Sequence, residues 1–142
     1  MAPLERALEP HGTKARQDET AITHLRTASD ADGPWAALAM VWTAEATLNT
    51  AYDENNEKLE RPEKIDEARP IYAKASNAAR RDLVRGMALE GLAMIAEMKR
   101  EPKVACEHAA AALEAYEQAG ASAYRLEGPQ VTLDENNCNP AG

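Results

Sequence analysis

The sequence predicts an all-α protein, and three observations support this class. Alanine, the residue with the highest helix propensity, makes up about a fifth of the chain. The β-branched residues that favour strands are sparse and scattered. Apolar residues recur at helical spacing in several segments, which proline, glycine or polar runs separate. The length of 142 residues is typical of one domain that can bury a core without disulfides or metal ions.

A short helical turn at residues 4–9 and two helices are predicted in the first third of the chain. The first helix covers about residues 14–29 and has an apolar side formed by Ala21, Ile22, Leu25 and Ala28. A turn at residues 30–34 leads into the second helix, which ends near Tyr52. The polar run that follows, residues 53–61, is predicted to be a loop of about nine residues.

The position of a proline leaves two alternatives open for the next helix. Pro62 is suited to begin a helix, but Pro70 follows eight residues later. A proline inside a helix costs about 3 kcal/mol, because it removes a hydrogen bond and clashes with the preceding turn. Either one helix kinks at Pro70, or the main helix begins near Arg69.

Two helices with clear apolar periodicity are predicted further along the chain. The first covers residues 83–99, with Asp82 as its N-cap. Its inward face is expected to consist of Leu89, Leu92, Ala93 and Ala96, with Ile95 at the edge. The second covers residues 102–118, begins with a proline and is ended by Gly120.

The last stretch of the chain lacks helical periodicity. It predicts only a short turn around Tyr124 and then extended chain, so we divide the sequence into a helical domain at residues 1–120 and a C-terminal tail at residues 121–142. Cys138 in such a tail is expected to be exposed to oxidation or modification. The two cysteines fit no zinc pattern, and the sequence leaves open whether they form a Cys106–Cys138 bridge.

The charge of the chain bears on its partners. The formal net charge is −8 and the pI is near 4.9. An acidic surface repels phosphate groups, so we expect no nucleic-acid partner and no membrane binding, and the charge favours a basic partner. Neither an N-terminal signal peptide nor an apolar run long enough for a transmembrane helix is predicted, so the expected location is cytoplasmic.

Four segments carry a repeated pattern. Two follow the pattern W-x2-L-G-x2-Y, with alanine in place of glycine: Trp35, Leu38, Ala39 and Trp42, and more weakly Leu89, Leu92, Ala93 and Ala96. Two others combine small residues with an aromatic one, which the second copy has lost: Ala68, Tyr72 and Ala75, and Ala105, Ala109 and Ala112. Together they resemble the signature of tetratricopeptide (TPR) repeats over about Trp35–Ala119. The resemblance implies about five helices in antiparallel pairs, in a right-handed TPR-like array; a four- or five-helix bundle is the alternative.

The resemblance also implies a binding groove. In TPR-like arrays the first helix of each pair lines a concave surface, and the corresponding positions here are Met40, Thr43, Met87, Glu90, Met94, Glu97 and Met98. Methionine side chains adapt to varied shapes, and carboxylates attract lysine and arginine. We therefore expect an interaction or scaffold module for a basic helix or peptide, as a subunit of a larger assembly. The alternative reading of the methionines is that they fill the core.

No motif assigns a chemical reaction. Adjacent residues on a helix point about 100° apart, so Cys106, Glu107 and His108 do not converge. Neither Glu90 nor Glu97 has a histidine three residues later, as di-iron carboxylate bundles require. No catalytic residue, metal ligand or cofactor is therefore predicted. The alternative function is a helical-bundle enzyme or small-ligand-binding protein, which requires two titratable groups converging in a closed pocket between helices.

Overall fold

The computed structural model describes residues 21–28, 33, 35–55 and 57–138. Over these residues the protein is all-α, with six helices and no strand, which confirms the predicted class. The helices are α1 (described over 21–28), α2 (Ala36–Asn49), α3 (Glu63–Ala78), α4 (Asp82–Met98), α5 (Pro102–Gln118) and α6 (Ala123–Glu135). None of the described helices is both long and apolar enough to cross a membrane. The turn predicted at residues 4–9, the start of the first helix and most of the turn at residues 30–34 lie outside the described residues.

The chain divides into two compact units, Met1–Ala78 and Ala79–Gly142. In the first unit, α2 packs against α3. The contact face of α3 consists of buried residues three or four positions apart, namely Ile65, Ala68, Tyr72 and Ala75. Alanines on both helices allow a close approach of the two backbones, and the tyrosine ring fills the space that they leave.

Pro70 lies inside α3, which is continuous from Glu63 to Ala78. The alternative in which the main helix begins near Arg69 is therefore wrong. Pro70 itself is exposed, while Ala68 and Tyr72 on either side of it are buried. Because the packed face extends both before and after the proline, tertiary burial offsets its local cost.

The loop between α2 and α3 covers residues 50–62, slightly more than predicted. Tyr52 and Leu59 form an isolated antiparallel bridge within it. The Asp53 N–H donates to the Lys58 carbonyl oxygen at 2.8 Å, so the polar run folds back on itself as a hairpin-like turn.

In the second unit, α5 packs against both α4 and α6. Connections of three and four residues join the helices, and such short connections place neighbouring helices antiparallel. The inward face of α5 consists of Ala105, Ala109, Ala112, Ala115 and Tyr116, all at most 3% exposed. On α4, Ala88, Leu92, Ala93, Ile95 and Ala96 are buried, whereas Leu89 is only half-buried. Ile95 was predicted at the edge of the inward face of this helix, but it is fully buried in the core.

The ends of α4 and α5 show one correction and one confirmation. Asp82 does not cap α4: the N-cap is Arg81, no side chain caps the helix, and the Asp82 carboxylate instead accepts a hydrogen bond from Arg85 at 2.7 Å. Gly120 ends α5 with φ +66°, as predicted. Arg100 takes the same left-handed conformation after α4, with φ +58°. At both helix ends, the backbone N–H of the next residue donates to a carbonyl oxygen of the last turn. After α4, the Glu101 N–H donates to the Ala96 oxygen in this way.

The predicted extended tail is wrong over most of its length. Residues Ala123–Glu135 form α6, which includes Gly128 and Pro129. These two residues interrupt the local pattern, and Pro129 is the one buried residue of the helix. The local sequence of α6 therefore carries little helical signal, and the order of the helix depends on its packing against the rest of the unit.

Candidate functional site

The surface of the second unit has an open depression of about 480 Å³ between α4 and α6, referred to below as the α4–α6 depression. It is lined by Glu90, Tyr124, Arg125, Glu127, Gly128 and Val131. Two carboxylates and one guanidinium therefore surround a tyrosine ring and a valine side chain. Such a mixture of apolar and charged groups suits recognition of a side chain or a short segment.

A tyrosine of α5 holds the Glu90 side chain in place in the lining of the depression. The Tyr116 hydroxyl donates to Glu90 Oε2 at 2.5 Å, and the tyrosine is fully buried. Burial, together with this hydrogen bond to a carboxylate, raises the pKa of Tyr116 well above its usual value. Arg125 lowers the pKa of Tyr116, but burial and the Glu90 carboxylate raise it by more. The carboxylate of Glu90 is therefore held by a phenol that stays protonated at neutral pH.

Two glycines allow the helices to approach this closely. At Gly86, one turn before Glu90, a Cβ atom would lie 2.5 Å from two ring carbons of Tyr116. At Gly128 on α6, a Cβ atom would collide with Glu90 Oε1. The absence of side chains at both positions thus sets where the tyrosine ring and the Glu90 carboxylate can lie.

A second carboxylate of α4 contacts the distal half of α6. Glu97 Oε1 accepts a hydrogen bond from the Thr132 hydroxyl at 3.1 Å, and Glu97 Oε2 accepts one from Asn136 Nδ2 at 3.4 Å. The Asn136 amide also donates to the Thr132 carbonyl oxygen at 2.8 Å. Glu90 and Glu97, two turns apart on α4, therefore both lie against α6.

The outer side of α6 exposes apolar side chains. Tyr124 is 83% exposed and Val131, two turns later on the same side, is 42% exposed. Glu127 lies between them, and the whole helix carries one arginine against three carboxylates. Exposed apolar patches mark interaction surfaces, and tyrosine is enriched among the residues that contribute most to binding.

The residues predicted to line a groove fall into three groups. Met40 and Thr43 are buried in the first unit, and the Thr43 hydroxyl donates to the Ala39 carbonyl oxygen at 2.7 Å. Glu90 and Glu97 face α6, as described above. Of the three methionines of α4, Met94 is 41% exposed, and Met87 and Met98 are half-buried. A binding role for the full set stays a prediction.

The residues that sequence reasoning missed are those that α6 contributes to the depression. Tyr124 was the centre of a predicted turn, and Val131 was assigned to extended chain. A spacing of seven between these two apolar residues was the available signal, but Gly128 and Pro129 between them argue against a helix.

The two cysteines form a disulfide, which settles the question that the sequence left open. Cys106 lies on α5, Cys138 lies just beyond α6, and their Cα atoms are 5.6 Å apart. This separation lies within the range usual for disulfides. The expectation of an exposed, reactive Cys138 is therefore wrong: its side chain is bonded and half-buried.

No cluster of three or more histidine, cysteine or carboxylate side chains that could hold a metal ion occurs in the described part of the chain. Comparison of the chain with protein-family models, curated proteins and solved structures found no match.

Proposed function

We propose that the protein is an interaction module that binds a basic helix or peptide in the α4–α6 depression. The observation that carries the proposal is Tyr124, a large aromatic side chain that is 83% exposed at the rim of a depression with two carboxylates. Burying such a ring against a partner would remove much apolar surface from water, and tyrosine is among the residues that contribute most to binding energy.

Charge complementarity defines the partner. Glu90 and Glu127 line the depression, Arg125 is its one basic group, and the whole chain carries a net charge of −8. We infer that the partner presents lysine or arginine beside an apolar side chain, the former for the carboxylates and the latter for Tyr124 and Val131. The TPR-like pairing of helices, the role as a subunit of a larger assembly and the cytoplasmic location remain parts of this proposal.

A peptide-display selection on the immobilised full-length protein tests the proposal. We expect enrichment of peptides that combine lysine or arginine with an adjacent apolar residue. The dissociation constant of a selected peptide should rise at least about tenfold in a Tyr124→Ser/Val131→Ser double variant, because the exposed ring supplies the main apolar contact. Added salt should weaken binding, since partly exposed charges are screened.

The matched control is Leu83→Ser, which removes an apolar side chain about as exposed as Val131 (40% against 42%) at the start of α4, outside the lining of the depression. This variant should bind like the wild type. The proposal is refuted if no peptide is selected, or if the wild type and the double variant bind the selected peptide equally well.

A further inference from the structure

Helix α6 packs mainly against α5, but few of its side chains are fully buried there. Pro129 is its only buried residue, whereas Tyr124 and Val131 are exposed. An isolated helix of 13 residues is marginal in water, and one with internal glycine and proline is weaker still. The order of α6 must therefore depend on its packing against α5, on its polar contacts with α4 and on the covalent bond at its end.

The disulfide acts directly on the last turn of α6. The Cys138 N–H donates to the Leu133 carbonyl oxygen at 2.9 Å, and Asn137 adopts the left-handed conformation that ends the helix, with φ +53°. Cys138 is thus fixed to the helix end by the backbone and to α5 by the bond to Cys106. The two cysteines are 32 residues apart, and the segment between them includes all of α5 after its first turn and all of α6.

We propose that the Cys106–Cys138 disulfide is a redox switch that controls the attachment of α6. A thiolate of a dithiol reductant attacks one sulfur of the bridge and forms a mixed disulfide, and the second thiol of the reductant then displaces the remaining cysteine. The reductant leaves as a disulfide, and both cysteines are left as thiols that carry its two protons. The helix then depends on its packing against α5, which buries Pro129, and on the hydrogen bonds to Glu97.

Release of α6 would change the surface of the unit. The Glu90 carboxylate, now beside Gly128, and the Glu97 carboxylate, now bonded to Thr132, would face solvent on α4. The α4–α6 depression would no longer exist, because Tyr124, Glu127 and Val131 move with the helix. Thiol-buffered surroundings open such a bridge and oxidising conditions close it; disulfides of cytosolic proteins are usually transient and redox-sensing, so at the proposed cytoplasmic location the depression would be complete only under oxidising conditions. The inference concerns only the attachment of α6, and it holds whether or not the depression binds a peptide.

Amide hydrogen exchange of the full-length protein, followed by mass spectrometry with and without dithiothreitol, tests the switch. Loss of the cross-link should make the α6 amides exchange roughly 10²–10³ times faster, as loop-closure entropy predicts for a bridge of this span. A Cys106→Ser/Cys138→Ser variant should show the same fast exchange without reductant and no further response to it. The amides of α2 and α3, in the unit without cysteines, provide the internal control.

Two results would overturn the inference. One is unchanged protection of α6 in the reduced protein, which would mean that noncovalent contacts suffice. The other is an equal loss of protection in α4 and α5, which would mean that the disulfide holds the whole unit together rather than one helix.

Discussion

Gly86 provides the sharpest test of the packing in the second unit. On an exposed helix a Gly→Ala substitution stabilises by about 1 kcal/mol, because alanine loses less conformational entropy. At Gly86 the new Cβ atom would lie 2.5 Å from Cδ1 and from Cε1 of Tyr116, closer than carbon atoms can approach. The ring belongs to a fully buried side chain, so it cannot simply turn towards solvent.

The opposing contributions for Gly86→Ala can be compared. Overpacking of a well-packed core costs about 1–3 kcal/mol. Displacement of the Tyr116 ring also weakens the hydrogen bond to Glu90, and loss of such a bond to a charged group costs about 1.5–3 kcal/mol when it is complete. After subtraction of the gain in helix propensity, we expect the variant to lose about 1–3 kcal/mol of unfolding free energy.

Urea denaturation followed by circular dichroism, with amide exchange of α5 as a local measure, gives the unfolding free energy of the variant. The same substitution in a Tyr116→Leu background serves as the control, because the ring that causes the clash is then missing. There Gly86→Ala should be neutral or stabilising, which gives a coupling free energy of about 1 kcal/mol or more. A Gly86→Ala protein as stable as the wild type, or one equally destabilised in both backgrounds, would refute the packing argument.

Three further predictions concern single side chains of the same unit. Tyr116→Phe should lower the unfolding free energy by about 1–2 kcal/mol, since it removes the donor to Glu90, whereas Tyr124→Phe at the exposed position should have no measurable effect. Because the pKa of Tyr116 is raised in the folded state, the stability that this tyrosine contributes is complete below pH about 10 and falls as the pH rises further. In an alkaline denaturation series, Tyr116→Phe should therefore lose less unfolding free energy than the wild type. Parallel curves for the two proteins would contradict this assignment. Arg100→Gly should raise the unfolding free energy by about 0.5–1 kcal/mol, because glycine adopts the left-handed conformation after α4 without a Cβ penalty; a thermal melt that shows no increase over the wild type would argue against it.

The boundaries of α5 show where local sequence suffices. A proline in the first turn and Gly120 beyond the last turn define the helix from Pro102 to Gln118, which agrees with the prediction. Both signals act through backbone geometry that is the same in any fold. The buried stripe of α3 was equally readable, because Ala68, Tyr72 and Ala75 recur at helical spacing.

The candidate site was predictable only in part. Glu90 was identified from the sequence as a groove residue, and the structure places it in the lining of the α4–α6 depression; its hydrogen bond from Tyr116 and its closeness to Gly128 of α6 were not predicted. The contact joins residues 26 positions apart on two helices. No local pattern records which tyrosine will face which carboxylate, since this depends on how deeply one helix packs against the next.

The sequence by itself determined the helical class, four of the helix positions and the acidic character of the chain. These properties follow from propensity, periodicity, helix ends and net charge, each of which acts over a few residues or over the whole composition. Only the tertiary structure decided that α3 continues through Pro70, that α6 is a helix and that Cys138 pairs with Cys106. In each of these cases the local sequence preference opposes the observed structure or does not specify it. Contacts between residues distant in the chain supply the free energy that decides the outcome.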